Sequence, residues 1–175
     1  MEAESFTTVP VDGAQIVCRR IGKGQPLLIF NGFAATSADW DPSFIDRLAS
    51  SNELILLNNR GIGGSTDNGQ AFDIAKLADD AAHVIETLGV ERANVMGWSM
   101  GGFIAQALAL NYRDRVNKLV LLSTDPGGIG TDFASLTCAR LLDTSGTPNE
   151  QSRVCCSCFF QTTLSNRSTA NSATS

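Results

Sequence analysis

The stretch Gly97-Trp98-Ser99-Met100-Gly101, with Gly102 directly behind it, decides how this chain is expected to fold. The apolar run at 93–96 predicts a strand before it, and 103–110 predicts a helix after it. Glycines on both sides of the serine let backbone pass where side chains would clash, and the serine itself must adopt strained backbone angles. Such a G-x-S-x-G turn lifts the serine hydroxyl clear of a sheet, and the helix directs its positive dipole end at developing negative charge. Ser99 is therefore predicted to be a nucleophile.

The rest of the chain alternates between predicted strands and helices. Strands are predicted at 5–9, 14–20, 27–30, 53–57 and 118–122, and helices at 37–50 and 72–88. The Asp12-Gly13 turn predicts an antiparallel hairpin, whereas continuous apolar runs are typical of parallel strands buried on both faces. On helix 72–88, helical periodicity places four polar residues away from the core, namely Lys76, Asp80, His83 and Thr87.

Two further motifs follow predicted strands. Asn31-Gly32-Phe33-Ala34 comes after strand 27–30, and Asn59-Arg60-Gly61-Ile62-Gly63-Gly64-Ser65 comes after strand 53–57. Together with the serine turn, they make residues 5–145 resemble the N-terminal half of an α/β-hydrolase, in the branch of small esterases, C–C hydrolases and cofactor-free perhydrolases. The resemblance implies an α/β fold with a doubly wound, mostly parallel sheet and an N-terminal antiparallel hairpin. The C-terminal strands of that fold are expected to be missing.

The resemblance also implies a set of site residues. Ser99 would attack an acyl carbonyl, and the backbone N–H groups of Phe33 and Met100 would form the oxyanion hole. Two such donors are worth roughly 3 kcal/mol each in the transition state. Asn31 stands where the family usually has a histidine, which alters the support of the loop and leaves the backbone donors in place. The remaining residues would have structural roles: Gly97, Gly101 and Gly102 at the turn, and Asn31, Gly32 and Arg60 in the support of the loops.

The serine needs a base, and the sequence contains one histidine, His83. In the family the order along the chain is serine, acid, histidine. His83 precedes Ser99 and is expected on a solvated helix face, so it is not a candidate base. Asp125 is one candidate for the acid, although the family's acid usually comes later and an Asp before Pro is common turn chemistry. The chain as given is expected to be inactive or weakly active.

Composition limits the class of partner. The 175 residues are 43% apolar with a formal charge of −5, which predicts one domain and argues against nucleic acid or anionic membrane as partners. No run has the length of a membrane span, and the cysteine spacing is not that of a secreted disulfide framework. A cytoplasmic protein acting on a small-molecule ester or carbonyl substrate is expected. Neither a cofactor nor a metal is implied.

Beyond the core, the sequence becomes inconsistent with the fold. We expect a partial α/β-hydrolase core at 1–130, the start of a cap region at 131–153 with a helix over 133–142, and a disordered or out-of-frame tail at 154–175. The cysteines Cys155, Cys156 and Cys158 leave three alternatives: a metal site, an acylated tether, or a reading-frame error after Arg153. A two-base shift can restore an amphipathic helical pattern, which favours the reading-frame error.

A hypothesis of a different class remains open. The half-fold could be a non-catalytic module that binds a small molecule or a partner protein. Strand 118–122 is also expected to leave an apolar sheet edge, through which the chain could associate with itself. The sequence does not determine the substrate, because specificity in this family is set largely by the cap.

Overall fold

The computed structural model describes residues 4–126. The chain divides into two units, Met1–Gly127 and Gly128–Ser175, and all described residues belong to the first. The predictions for 131–153 and 154–175, including the cap helix and the cysteine cluster, lie outside the described residues. The elements in chain order are β1 (Ser5–Val11), β2 (Ala14–Ile21), β3 (Gln25–Phe30), α1 (Pro42–Ala49), β4 (Asn52–Leu57), α2 (Ile74–Thr87), β5 (Ala93–Trp98), α3 (Met100–Asn111), a 3₁₀ turn (Arg113–Arg115) and β6 (Val116–Leu122).

The six strands form one sheet in the order β1-β2-β4-β3-β5-β6. β1 pairs with β2 and β2 with β4 in the antiparallel sense, while the pairs β3–β4, β3–β5 and β5–β6 are parallel. The predicted α/β fold with an N-terminal antiparallel hairpin is therefore confirmed. Because the parallel strands run in the same direction, the loops that follow β3, β4, β5 and β6 all leave the sheet at the same edge.

The apolar runs that predicted β3 and β4 are buried on both faces of the sheet, whereas that of the edge strand β6 is largely exposed. Residues 27–30 of β3 and 54–57 of β4 are all buried. One hydrophobic cluster includes side chains of α2 and α3, and a second includes Ile45 of α1 with Leu56 and Met96 of the sheet. Burial of this kind contributes about 25 cal/mol per Å² of apolar surface, so these strands anchor the loops at their ends.

Two of the predicted helices, 37–50 and 72–88, are shorter than expected, whereas α3 extends beyond the predicted 103–110 at both ends. α1 begins at Pro42 instead of residue 37, because the Asp41 side chain accepts a hydrogen bond from the Phe44 N–H and caps the helix. The two hydrogen bonds that the Asp41 carboxylate accepts, from the Ser43 hydroxyl and then from the Phe44 amide, lower its pKa. α2 begins at Ile74, with Asp73 as its cap. Among residues 4–126, no helix has the length and apolar character needed to cross a bilayer.

The prediction that Asp80 faces solvent is wrong. Its side chain is 4% exposed and pairs with the Arg60 side chain, which is 1% exposed. The guanidinium donates from Nε to Asp80 Oδ2 at 2.5 Å and from Nη2 to Oδ1 at 2.9 Å, and Nη2 also donates to the Val11 carbonyl. The Asp80 carboxylate raises the pKa of Arg60. Arg60 thus ties the loop after β4 to both β1 and α2, which is the loop-connecting kind of role expected of it.

We expect Asp80→Ala to lower the free energy of unfolding by about 3–5 kcal/mol, because it leaves the Arg60 guanidinium buried without its counter-charge. Denaturant unfolding followed by circular dichroism measures this loss. The matched control is Glu86→Ala on the same helix, which removes an exposed pair with Arg115 and should cost less than about 1 kcal/mol. Equal losses in the two variants would contradict the assignment of a structural role to the buried pair.

β6 is one of the two edge strands of the sheet. Within the described part of the chain it pairs with β5 on one side and with no strand on the other. Three successive apolar side chains, Leu119, Val120 and Leu121, are 39%, 44% and 41% exposed. An apolar strand with unpaired N–H and C=O groups is a template for pairing with another chain.

The 175-residue chain is therefore expected to self-associate, and Val120→Lys should raise the monomer fraction because a charge opposes strand pairing at the edge. Sedimentation velocity over a concentration series measures this. Thr8→Lys, at an exposed position of the other edge strand β1, is the control and should leave association unchanged. A wild-type chain that is monomeric at every concentration would refute the expectation.

Candidate active site

Ser99 lies between the last residue of β5 and the first residue of α3, at φ 54° and ψ −120°. A residue with a β-carbon is strained in this region, and such strain persists only where the surrounding structure enforces it. Two backbone hydrogen bonds of 2.9 Å do so here: Ser99 N–H donates to the carbonyl of Leu122 in β6, and Gly102 N–H donates to the carbonyl of Ser99. The turn is fixed by the neighbouring strand on one side and by the helix on the other.

The glycines around Ser99 occupy positions where backbone segments approach closely. A β-carbon on Gly101 would lie 2.5 Å from the carbonyl oxygen of Phe30 and 2.6 Å from that of Asn31. One on Gly97 would collide with the carbonyl of Gly101, and one on Gly102 would collide with the Thr124 side chain. The first turn of α3 therefore packs directly against the ends of β3 and β6.

The loop after β3 lies beside Ser99. A β-carbon on Gly32 would be 3.5 Å from Ser99 Cβ and 3.0 Å from the Trp98 ring, so the loop passes between these two side chains. Phe33 is 58% exposed. Neither its N–H nor that of Met100 donates a hydrogen bond to any residue in 4–126, and the latter is the first N–H of α3. The arrangement can present two unpaired backbone donors next to a strained serine.

Asn31 supports this loop through its side chain. The residue is fully buried at the end of β3, and its Nδ2 donates to the Leu57 carbonyl at 2.9 Å, at the end of β4. Its Oδ1 accepts a hydrogen bond from the Trp40 indole N–H. Trp40 is half-buried and packs partly on the second hydrophobic cluster. The sequence did not identify Trp40 as the partner of Asn31. A buried amide needs both a donor and an acceptor nearby, and the Trp40 indole is the donor here.

The two residues considered as base and acid, His83 and Asp125, lie in different parts of the fold. His83, the one histidine of the sequence, is exposed on α2. Asp125 lies in the loop after β6, where its carbonyl accepts a hydrogen bond from Gln106 Nε2 at 2.8 Å, and the same nitrogen donates to the Gly102 carbonyl. Gln106 was not identified from the sequence. In the range 4–126, no cluster of three His, Cys, Asp or Glu side chains has the arrangement needed to hold a metal ion.

The chain is similar in sequence and in structure to several known proteins, whose names differ. A poly(3-hydroxyalkanoate) depolymerase of Ectopseudomonas oleovorans is 37% identical over 127 residues, which are 71% of this chain and 44% of the relative. A non-heme haloperoxidase of Rhodococcus erythropolis is 32% identical over 116 residues, which are 66% of this chain and 42% of the relative. The solved structure of Est816, described as an N-acyl homoserine lactone degrading enzyme, has a TM-score of 0.62 and 31% identity, and the match covers 67% of this chain and 45% of that one.

The chain spans less than half the length of these relatives. The family model of the alpha/beta hydrolase fold matches residues 25–145, which include β3 to β6 and the serine turn. The strand order, the strained serine between β5 and α3 and the sequence matches all agree, and the chain belongs to the α/β-hydrolase family.

Proposed function

We propose that this chain carries the nucleophile and the oxyanion-binding half of a serine hydrolase that acts on esters or related carbonyl compounds. The observation that supports the proposal most is the strained Ser99 near two backbone N–H groups that donate no hydrogen bond within residues 4–126. Backbone strain of this kind costs of order 1–3 kcal/mol, and a serine without a chemical role would have no compensating benefit from it. A nucleophile gains exposure and a fixed direction of attack from it.

In the proposed reaction, Ser99 Oγ forms a bond to the acyl carbon while a base accepts its proton. The carbonyl oxygen becomes an anion, which the N–H groups of Phe33 and Met100 stabilise at the positive end of α3. The tetrahedral intermediate then expels the alcohol, which takes up the proton, and leaves an acyl-serine. Water attacks the acyl-serine in the second half of the reaction, releasing the acid and restoring the hydroxyl.

Among residues 4–126, no histidine contacts Ser99 to act as its base. Their one histidine is exposed on α2. Backbone donors without a competent base give a rate above that in water but orders of magnitude below that of a full triad. We therefore propose that this chain alone is inactive or weakly active, and that a base added in solution accelerates acylation of Ser99.

The substrate class rests on the relatives and on the surroundings of the serine. A depolymerase of poly(3-hydroxyalkanoate) and a lactone-degrading enzyme are among the similar proteins, which favours ester bonds. Trp98 precedes Ser99, and Phe33 follows Gly32, which lies against Ser99; the two side chains are 39% and 58% exposed and would favour an apolar acyl group. The competing hypothesis, a non-catalytic module that binds a small molecule or a partner, requires no activated hydroxyl and is separated from this one by the reactivity of Ser99.

We expect a fluorophosphonate to label Ser99 slowly and imidazole to increase the rate several-fold, because imidazole can accept the serine proton. Mass spectrometry of the peptide that contains Ser99 measures the adduct. Ser99→Ala should abolish labelling, while Ser43→Ala, which removes an exposed hydroxyl on α1, should label like the wild type. Absence of any imidazole-dependent adduct at Ser99 in folded protein would favour the binding module.

A further inference from the structure

We propose that Asn31 and Trp40 are positioning residues that hold the Phe33 N–H in place for the oxyanion of the proposed reaction. The inference rests on the proposed function and identifies what keeps one of the two oxyanion donors in place. The other donor, Met100, belongs to helix α3 and is fixed by it. Phe33 belongs to a loop, is largely exposed and makes no backbone hydrogen bond through its N–H within the described residues. Its position has to be held by neighbouring residues.

The first fixed point is the Asn31 side chain, two residues before Phe33. Both ends of the buried amide are satisfied, with Nδ2 donating to the Leu57 carbonyl and Oδ1 accepting from the Trp40 indole. An indole N–H can only donate and a backbone carbonyl can only accept, so the amide has one orientation. Rotation of Asn31 would leave two buried polar groups unpaired, each at a cost of about 1–3 kcal/mol. The end of β3 is thereby locked to the end of β4 and to Trp40.

The second fixed point is the indole of Trp40 itself. Its ring stacks on Phe44 of α1, with ring centroids 5.7 Å apart and planes 19° apart. It also meets the Trp98 ring edge to face, with centroids 6.0 Å apart and planes at 63°. Aromatic pairs at these separations prefer these arrangements and contribute packing in addition to burial. Trp40 is therefore held on two sides, and its N–H has a defined direction.

The contacts of Asn31, Trp40, Trp98 and Gly32 form a closed circuit that includes the loop after β3. Trp98 lies against Gly32, so that even a β-carbon on Gly32 would come within 3.0 Å of the indole, and Gly32 follows Asn31 directly. Asn31 contacts Trp40, Trp40 contacts Trp98, and Trp98 contacts Gly32. Both residues before Phe33 are thus fixed, one by hydrogen bonds and one by packing, and the direction of the peptide that carries the Phe33 N–H follows from them. Misplacement of a catalytic group by about 1 Å can reduce a rate about 100-fold.

Trp40→Phe tests the proposal, because it keeps an aromatic ring and removes the N–H that Asn31 accepts. We expect the ¹⁵N order parameter of the Phe33 amide to fall from above about 0.8 to below about 0.6, while that of Met100 stays unchanged. With a fluorophosphonate and imidazole, the maximal labelling rate at Ser99 should fall about tenfold, while the concentration for half-maximal rate stays the same. Loss of a residue with only a general structural role would change neither the Phe33 order parameter nor the maximal labelling rate at an unchanged half-maximal concentration.

Phe6→Leu is the control, since it removes an exposed aromatic ring on β1 that belongs to neither fixed point and leaves the hydrogen bond between Trp40 and Asn31 intact. It should keep the order parameter of Phe33 close to that of the wild type. Asn31→Ala removes the same hydrogen bond from the other side and should reproduce the effect of Trp40→Phe. The double variant should be no slower than the slower single variant, because the two residues act as a unit.

The proposal is overturned if folded Trp40→Phe retains the wild-type order parameter at Phe33 and the wild-type labelling rate. A wild-type Phe33 order parameter below about 0.6 would overturn it without any variant, should both substitutions prevent folding. If the wild type is not labelled at Ser99 at all, the proposed function fails, and the order parameters still decide whether Asn31 and Trp40 position the loop.

Discussion

The backbone of Ser99 is the constraint on which the rest of the structure depends. Its φ of 54° and ψ of −120° are stabilised by β6 through the Leu122 carbonyl and by the first turn of α3 through the Gly102 N–H. This geometry requires glycine at positions 97 and 101, because backbone from two other segments occupies the space where a side chain would lie. A serine held in this way cannot relax without disturbing the sheet, so its side chain leaves the backbone in a fixed direction at the strand ends.

The strand order places other loops next to the strained serine and so forms the candidate site. β3 and β4 lie side by side and β5 follows β3, so the loops after β3 and β5 meet at one edge. Asn31 connects the ends of β3 and β4, and through Trp40 it reaches the loop before α1. On the far side of β4, the buried pair of Arg60 and Asp80 ties the next loop to β1 and α2. Buried hydrogen bonds at the strand ends thus hold loops that have little regular structure of their own.

Much of this arrangement could be predicted from sequence because it depends on local pattern. Continuous apolar runs marked the parallel strands, and the serine turn marked where β5 gives way to α3. What could not be predicted depends on residues distant in the chain. Helical periodicity placed Asp80 toward solvent, since nothing local indicates that Arg60, twenty residues earlier, will bury a charge against it. The start of α1 was predicted too early, although Asp41 with Pro42 is a helix-start signal. Asn31 was predicted as loop support from a family position, and only the structure shows that Trp40 is its partner.

In the proposed reaction, the Phe33 and Met100 amides face the oxygen that becomes charged when Ser99 is acylated. A crystal structure of this chain with Ser99 phosphonylated tests the claim most directly, because the phosphoryl oxygen stands in for the oxyanion of the tetrahedral intermediate. We expect this oxygen to lie within about 2.7–3.1 Å of both backbone nitrogens. A phosphoryl oxygen that points into solvent, with both amides unpaired in the adduct, would contradict it.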